Sequence, residues 1–492
     1  MFLGGGPMHN PSSGRFGDIV FGLAAAEEER STNPSLLLDG FLDDFGFVKQ
    51  VREGNKFVIL GPKGSGKSAI ASRIQLLVNR EEGFFVRSYQ LGSFPFDAFK
   101  EVVPGREAPE IRYPTNWEFL LHVALVESLS ADSKCQTDGH PTLSLIAEAL
   151  RTLGLMPGKD LTQIVKHTSS REFKVAIPQV LEARLGSEKE LGSRDVKTLY
   201  ATLSDTCRRA RPSGRHLIFI DGLDDVLTRR GKQYEALAAL LIAADRMNRR
   251  LRESGVNAKL IVLCRTDLFE LLPDPNNNKI RQDNTVALDW YEDSEDAKST
   301  MLVKLLNQRA TLSLRRPVDV LGEFFPSTII NNQPTVKTVL DHTRHTPRDI
   351  IQLMNRIQSS TRGARPNRQE VVGGLKKYSQ DYLLPEMRNE LAGLISPDGA
   401  TRAFQVLEIL GKWEFTFDEF ANALKADTRF ASLDSMATLE RLFECSAVGN
   451  VMERAGHSEF RFAFKFRNRN AVFNPNSKII VHRGILKALN LL

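Results

Sequence analysis

Short apolar runs recur through the first three hundred residues, and helical periodicity fills the gaps between them. Lys56-Phe57-Val58-Ile59-Leu60 is β-rich and continuously apolar after its first residue, the pattern of a strand buried on both faces. Ile70, Ile74 and Leu77 then recur at helical spacing, and a second strand is expected near Phe84 to Leu91. From about Asn116 to Arg211 the chain reads as mostly helical. It includes the amphipathic segment Trp117 to Leu129, with breaks expected at Pro141, Gly154, Pro157 and Pro178. This stretch is expected to be an insertion between core strands. The strand pattern resumes at His216-Leu217-Ile218-Phe219-Ile220-Asp221. It returns at Lys259 to Cys264, capped by Arg265-Thr266-Asp267, and ends at Thr285 to Leu288. The helix Tyr234 to Leu251 lies between the first two of these runs.

After Trp290 the pattern is helical. Thr346-Pro347-Arg348-Asp349 supplies an N-cap, a proline at the first helical position and a capping box, followed by the apolar face Ile350, Met354 and Ile357. From about Gly393 a smaller pattern begins. Arg402 to Leu410 is amphipathic, and Thr416 to Glu419 is a capping box with Phe417, Phe420 and Leu424 inward. Leu433 to Cys445 is a third helix. Phe460 to Arg467 alternates between apolar and mostly basic residues, and Lys478 to His482 reads as a strand before a final helix. Three helices followed by a two-stranded ribbon is the order of a winged helix.

The first turn after the opening strand carries the chemistry. Gly61-Pro62-Lys63-Gly64-Ser65-Gly66-Lys67-Ser68 has the G-x-x-x-x-G-K-S spacing of a phosphate-binding loop, between a strand and a helix as that motif requires. Glycines let backbone N–H groups wrap a polyphosphate, and the helix N-terminus adds partial positive charge. In that pattern Lys67 reaches the β- and γ-phosphates and the Ser68 hydroxyl ligates Mg²⁺. A glycine turn that binds nothing is the alternative, and the flanking strand and helix weigh against it. Asp221, at the end of a buried strand, is placed to hold Mg²⁺ through water, opposite Ser68. Asp224 is the first choice to orient or deprotonate an attacking water, with Asp225 the alternate. Arg265 is placed to sense the third phosphate. Arg281 reads either as an arginine finger reaching a neighbouring subunit or as an ordinary loop arginine. Arg348 reads either as a lid residue aimed at the nucleotide or as a helix-start arginine paired with a local acid.

These elements predict an α/β chain: a P-loop NTPase core with a parallel sheet and a helical insertion, then a helical lid and a C-terminal winged-helix domain. The expected boundaries are 1–50 for a tail and lead-in helices, 51–291 for the core with its insertion at about 112–211, 292–392 for the lid and 393–492 for the winged helix. Ala24 to Arg30 should be helical. Leu36 to Val51, with Phe41, Phe45 and Phe47 among acidic residues, either wraps a nucleotide base or simply packs.

Composition narrows this picture only a little. With 41% hydrophobic and 26% charged residues, the chain has the make-up of an ordinary soluble globular protein. Its longest apolar run, Ala236 to Ala244, falls short of a membrane span, so no membrane role and a cytoplasmic location are expected. Met1 to Gly14 lacks a basic segment before an apolar core and reads as a frayed tail rather than a secretory leader. Cys135, Cys207, Cys264 and Cys445 are scattered, which points to reduced thiols without a zinc site. His122, His140 and His167 lack metal-ligand spacing. A net charge of +6 admits nucleic acid without demanding it. Residues 460–492 hold seven basic residues and no acid, so the wing can face a phosphate backbone, an acidic partner or solvent. The third helix argues the other way, carrying Asp434, Glu440 and Glu444 against Arg441.

In Gly61 to Ser68, Ile218 to Asp225 and Cys264-Arg265, the chain resembles the signal-transduction ATPases with numerous domains (STAND), close to AAA+ proteins. Asp221-Gly222-Leu223-Asp224-Asp225 resembles the D-G-L-D-E of NACHT-type ATPases, with Asp for the final Glu. His345-Thr346-Pro347-Arg348-Asp349 followed by a winged helix is similar to the lid and tail of Orc/Cdc6-type AAA+ proteins. The nearest likeness is to bacterial stand-alone P-loop ATPases often encoded in antiviral defence loci. It rests on Phe16-Gly17, Leu38-Asp39-Gly40-Phe41 and His482-Arg483-Gly484. The resemblance spans residues 16–91 and 210–490; the insertion matches no family. It implies an ATP- and Mg²⁺-binding switch that hydrolyses slowly and acts through an effector or sensor protein, with homo-oligomerisation open. Arg265, where AAA+ motors carry Asn or Thr, favours a switch over a motor. The rival implication is an Orc/Cdc6-like ATPase that binds DNA through its basic wing.

Overall fold

The computed structural model describes residues 14–492 apart from 93, 104–107, 157, 159, 186–194, 223–231, 273–276, 295, 331, 393–394 and 454–459. Contacts gather the described residues into two units with separate hydrophobic cores. One is Asp43–Asp289; the other joins the residues up to Leu42 with Trp290–Leu492.

The first unit is built on the apolar runs. Its elements in chain order are β1 (Val58–Gly61), α1 (Lys67–Val78), β2 (Phe84–Gln90), α2 (Pro109–Ser130), β3 (Arg215–Asp221), α3 (Lys232–Glu253), β4 (Ala258–Arg265), α4 (Thr266–Leu271), α5 (Asn277–Asp283) and β5 (Thr285–Ala287). The strands form one five-stranded sheet in the order β2-β3-β4-β1-β5, every neighbouring pair parallel. Val58 to Leu60, Leu217 to Ile220 and Leu260 to Cys264 are buried without alternation, because helices cover both faces of a parallel sheet. At the base of β4, the buried Lys259 ammonium donates to the carbonyls of Val51, Gly54 (2.8 Å) and Lys56 (3.1 Å), tying the lead-in segment to the sheet.

Helices separate β2 from β3, as the insertion predicts. α2 is buried around most of its circumference from Asn116 to Leu129, the mark of an internal helix. Trp117 anchors it: the indole N–H donates to the Ala236 carbonyl of α3 (2.6 Å), and the ring stacks on Phe94 at 4.8 Å. One expected break is not a break. Pro178 lies inside the helix Arg171–Leu185, where Phe173, Ile177, Val180 and Leu181 are buried and offset the hydrogen bond the proline removes. Pro157 lies outside the described residues.

In the second unit, the chain's first described residues pack with its C-terminal part. Phe16, Ile19 and Phe21 are buried, and Phe16 meets Phe324 and Phe325 at 5.8 and 5.2 Å. Helix α6 (Met301–Leu314) holds this segment by its backbone. Gln308 donates to the carbonyls of Asp39 (2.7 Å) and Phe41 (3.2 Å), and Arg309 donates to Phe21 and makes a buried ion pair with Glu29 at 2.9 Å. Leu36 to Leu38 are likewise buried. Residues 14–42 thus have a packing role within this unit, where the sequence left base-wrapping open for part of them.

Further elements are α7 (Pro347–Gln358), α8 (Pro397–Leu410), β6 (Glu414–Phe415), α9 (Phe417–Ala426), α10 (Ser435–Glu444), β7 (Val448–Glu453), β8 (Phe460–Ala463) and β9 (Ile479–Val481). The winged helix carries an antiparallel four-stranded sheet, β8-β7-β9-β6, rather than a two-stranded ribbon. The alternating run stops being a strand at Ala463. A turn closed by Arg467 N–H on the Phe464 carbonyl (3.0 Å) swings Phe464 and Phe466 in against Val451 and Ile480. A 3₁₀ turn, Arg483–Ile485, stands where the sequence predicted the final helix.

Thr346 caps α7 as predicted, its hydroxyl accepting the Asp349 N–H at 3.2 Å. Asp349 itself is fully buried. It accepts from Arg344 (3.1 Å) and from the Tyr382 hydroxyl (2.8 Å), while Arg344 also reaches Glu390 at 2.8 Å. Around this network His345 stacks on Phe466 at 5.5 Å, and Phe466 meets His482 edge-on.

Trp117→Ala is expected to cost about 3–5 kcal/mol in chemical denaturation, since it removes both the packing and the α2–α3 hydrogen bond; a loss below about 1 kcal/mol contradicts this account of the insertion. A second expectation concerns acid. Burial pushes His342 and His345 down to about 4 and His482 to about 3, from an ordinary value of 6.5. Between those limits the unfolded chain binds more protons than the folded one, so stability falls as pH drops through that window. The urea midpoint of the full chain should decline between about pH 7 and about pH 4.5, and decline less in His482→Gln; a pH-independent midpoint refutes it.

Candidate functional site

Open parallel sheets place ligands at the carboxyl ends of their strands. Here three such ends matter. β1 runs into the loop Gly61 to Ser68 and then α1. The loop closes on itself tightly: a Cβ on Gly61 would fall 2.2 Å from the Ser65 hydroxyl, and Gly66 takes φ +98°, in the left-handed region. The turn delivers Lys67 and Ser68 to the start of α1, where the first backbone N–H groups of a helix lack intrahelical partners and favour an anion. The Lys67 ammonium is buried and donates to the carbonyls of Gly61 and Pro62, both at 3.1 Å.

β3 ends at Asp221. Its carboxylate accepts the Ser68 hydroxyl at 2.6 Å and the Gly222 N–H at 2.7 Å. Two residues 153 positions apart thus present hard oxygen atoms to one point. An alcohol and a carboxylate are ligands that suit Mg²⁺, which is bound by one or two protein oxygens together with substrate phosphates.

β4 lies between β1 and β3, with Gly61 opposite Arg265 in the register. Arg265 therefore emerges beside the loop. Its guanidinium forms a two-point pair with Asp267, Nε to Oδ1 at 3.0 Å and Nη2 to Oδ2 at 2.6 Å. Loss of water pushes the Asp267 carboxyl up, but Arg265 and then Lys67 outweigh it and hold the group below its ordinary range. The carboxylate remains 47% exposed, so solvent screens part of that attraction.

The structure thus brings together Gly61, Pro62, Lys63, Gly64, Ser65, Gly66, Lys67, Ser68, Asp221 and Arg265. Asp224 and Asp225 lie outside the described residues. Arg281, on α5, pairs with Glu270 at 3.3 Å. Arg348 belongs to the other unit, and its Nε donates to the Ala24 carbonyl at 2.9 Å rather than to a neighbouring acid. Asp267 is the residue sequence reasoning passed over; its only signal was a carboxylate two positions beyond a strand-end arginine.

A second constellation is a decoy. Ser128 Oγ lies 2.9 Å from His216 Nδ1, and Asp132 lies 3.7 Å from His216 Nε2. All three side chains are buried, and burial pushes His216 down to about 4, so this is internal packing and not a nucleophile open to substrate.

Residues 300–384 match the family described as the FunZ-associated C-terminal helical domain. No curated protein matches the chain. Among solved structures, it is similar to the Aeropyrum pernix Orc1 protein in complex with DNA, at 13% identity and a TM-score of 0.42, covering 93% of this chain and 94% of that one. It is also similar to Cdc6p from Pyrobaculum aerophilum, at 12% identity and a TM-score of 0.33, covering 94% and 98%. Drosophila ORC bound to DNA gives 10% identity and a TM-score of 0.31, covering 95% and 96%. No residue role is carried over from any of them.

Proposed function

We propose that the chain is a P-loop ATPase: it binds ATP with Mg²⁺, hydrolyses it slowly and uses the bound state as a switch. The observation that carries this reading is the 2.6 Å meeting of Ser68 and Asp221 beside the Lys67 loop, with Arg265 emerging next to it. Ser68 and Asp221 would hold Mg²⁺, which would supply positive charge to offset that of the phosphates. Lys67 leaves its two loop carbonyls for the β- and γ-oxygens. Arg265 reaches the third phosphate. Asp224, with Asp225 as alternate, orients the attacking water. Arg281 as a finger toward another copy of the chain, and Arg348 as a lid contact, remain part of this proposal.

At a finer level, we read the switch as STAND-type, regulating an effector or sensor partner in bacterial antiviral defence. That step rests on the resemblance of short sequence stretches alone, three for the STAND type and three others for the defence association. The order of core, helical domain and winged helix supports an Orc/Cdc6-like ATPase more directly, with DNA on the wing. The charges oppose the DNA step. Of the seven basic residues in 460–492, Lys465 pairs with Glu444 (3.1 Å), Lys478 with Glu414 (2.8 Å), and both Arg467 (3.5 Å) and Arg483 (3.1 Å) with Asp341. Arg461 and Arg469 stay exposed. No helix among the described residues is long and apolar enough to cross a membrane.

Lys67→Ala should abolish nucleotide binding, and Asp224→Ala should bind ATP yet stop phosphate release. Undiminished ATPase activity in Lys67→Ala refutes the mechanism. Electrophoretic shifts with duplex DNA across a salt series separate the two finer readings. A phosphate-contacting wing loses affinity steeply with salt, whereas no shift at low salt excludes it.

A further inference from the structure

We infer that Asp267 is an internal competitor for the third phosphate and sets how strongly the site distinguishes a nucleoside triphosphate from a diphosphate. The inference rests on the nucleotide reading of the site and deepens it.

Arg265 ends β4, between β1, which runs into the phosphate loop, and β3, which ends at Asp221. There Asp267 takes up one edge of the guanidinium through two hydrogen bonds, at 3.0 and 2.6 Å. A terminal phosphoryl group offers the same edge the same thing, two anionic oxygens at a spacing that matches the fork. One edge accepts one such partner at a time. Lys67 acts on the same carboxylate, helping to hold it ionised. Asp267 is therefore paired with one of the two cations that the proposed site assigns to a γ-phosphate and feels the charge of the other.

Its position is set by packing. Leu268 and Phe269, the next two residues, are buried and pin the start of α4, while the Asp267 side chain is 47% exposed. That combination suits a competitor. The carboxylate is held within reach of Arg265, yet water receives it when the arginine turns away, and the buried arginine passes to the phosphate instead of being left unpaired. A triphosphate must take Arg265 from Asp267. A diphosphate has no oxygen at that place and leaves the pair alone, so the penalty falls on the triphosphate.

The test uses the full chain with Mg²⁺, calorimetric titration, and two ligands: ADP and a non-hydrolysable ATP analogue. Asp267→Asn should tighten the triphosphate about 10-fold, or about 1.4 kcal/mol, and ADP less than about 2-fold. In an Arg265→Gln background the same change should bring no gain. Equal gains for both nucleotides, or a gain that persists without Arg265, show a general field effect and overturn the inference. A weaker triphosphate affinity in Asp267→Asn also overturns it, by making Asp267 a support that aims Arg265. Should Asp267→Asn lower the melting temperature, Asp267→Ser removes the charge with a smaller side chain and serves the same comparison. Wild-type chain that binds neither nucleotide sinks the site reading itself, an outcome distinct from any of these.

Discussion

The candidate site depends on one constraint, the parallel pairing of β4 with β1 on one side and β3 on the other. Backbone hydrogen bonds set the heights of the three strand ends relative to one another, with Leu60 opposite Cys264, Gly61 opposite Arg265 and Ile220 opposite Val262. Because all three run the same way, the loop, Arg265 and Asp221 finish on one edge of the sheet. A slip of one residue in β4 would turn Arg265 to the other face, since strand side chains alternate. The continuous burial of Val58 to Leu60, Leu217 to Ile220 and Leu260 to Cys264 makes the sheet internal, where every backbone hydrogen bond of the ladder has to be kept.

The second theme is that charge is settled locally. Lys67 is bound by carbonyls of its own loop, Arg265 by Asp267, and Asp349 by Arg344 and Tyr382. The basic C-terminal stretch follows the same rule: four of its cations lie against acids supplied by α10, β6 and the residue Asp341. Four of the seven basic residues in 460–492 are therefore matched by acids within the chain. An ion pair within the chain lowers the field a distant polyanion meets, even where the sequence reads as uniformly basic.

Some of this was legible because its physics is local. The loop Gly61 to Ser68 is eight contiguous residues whose spacing alone specifies a turn, and the Thr346–Asp349 cap is settled within one helical turn. Asp221 stood out because it ends an apolar run. Other features were not legible. Pro178 reads as a breaker until the burial of Phe173 and Leu181 is known. The alternation from 460 to 467 reads as a strand, but Phe464 and Phe466 gain more by turning onto Val451 and Ile480 than by continuing the ladder. Nothing near Phe16 says that it packs on Phe324 and Phe325, some three hundred positions later. The Ala24 partner of Arg348 was hidden for the same reason.

By itself, then, the sequence determined the class of the core, the place of the phosphate loop, the acid that ends β3 and the cap of α7. In each, the controlling interactions lie within a few residues or within one apolar run. The tertiary structure decided which groups meet: Ser68 with Asp221 across 153 positions, Arg265 beside the loop, and the N-terminal segment with α6. It also decided that Asp267 takes one edge of the Arg265 guanidinium. Side-chain pairing depends on packing and register summed over the whole sheet, and no short window of sequence contains that sum.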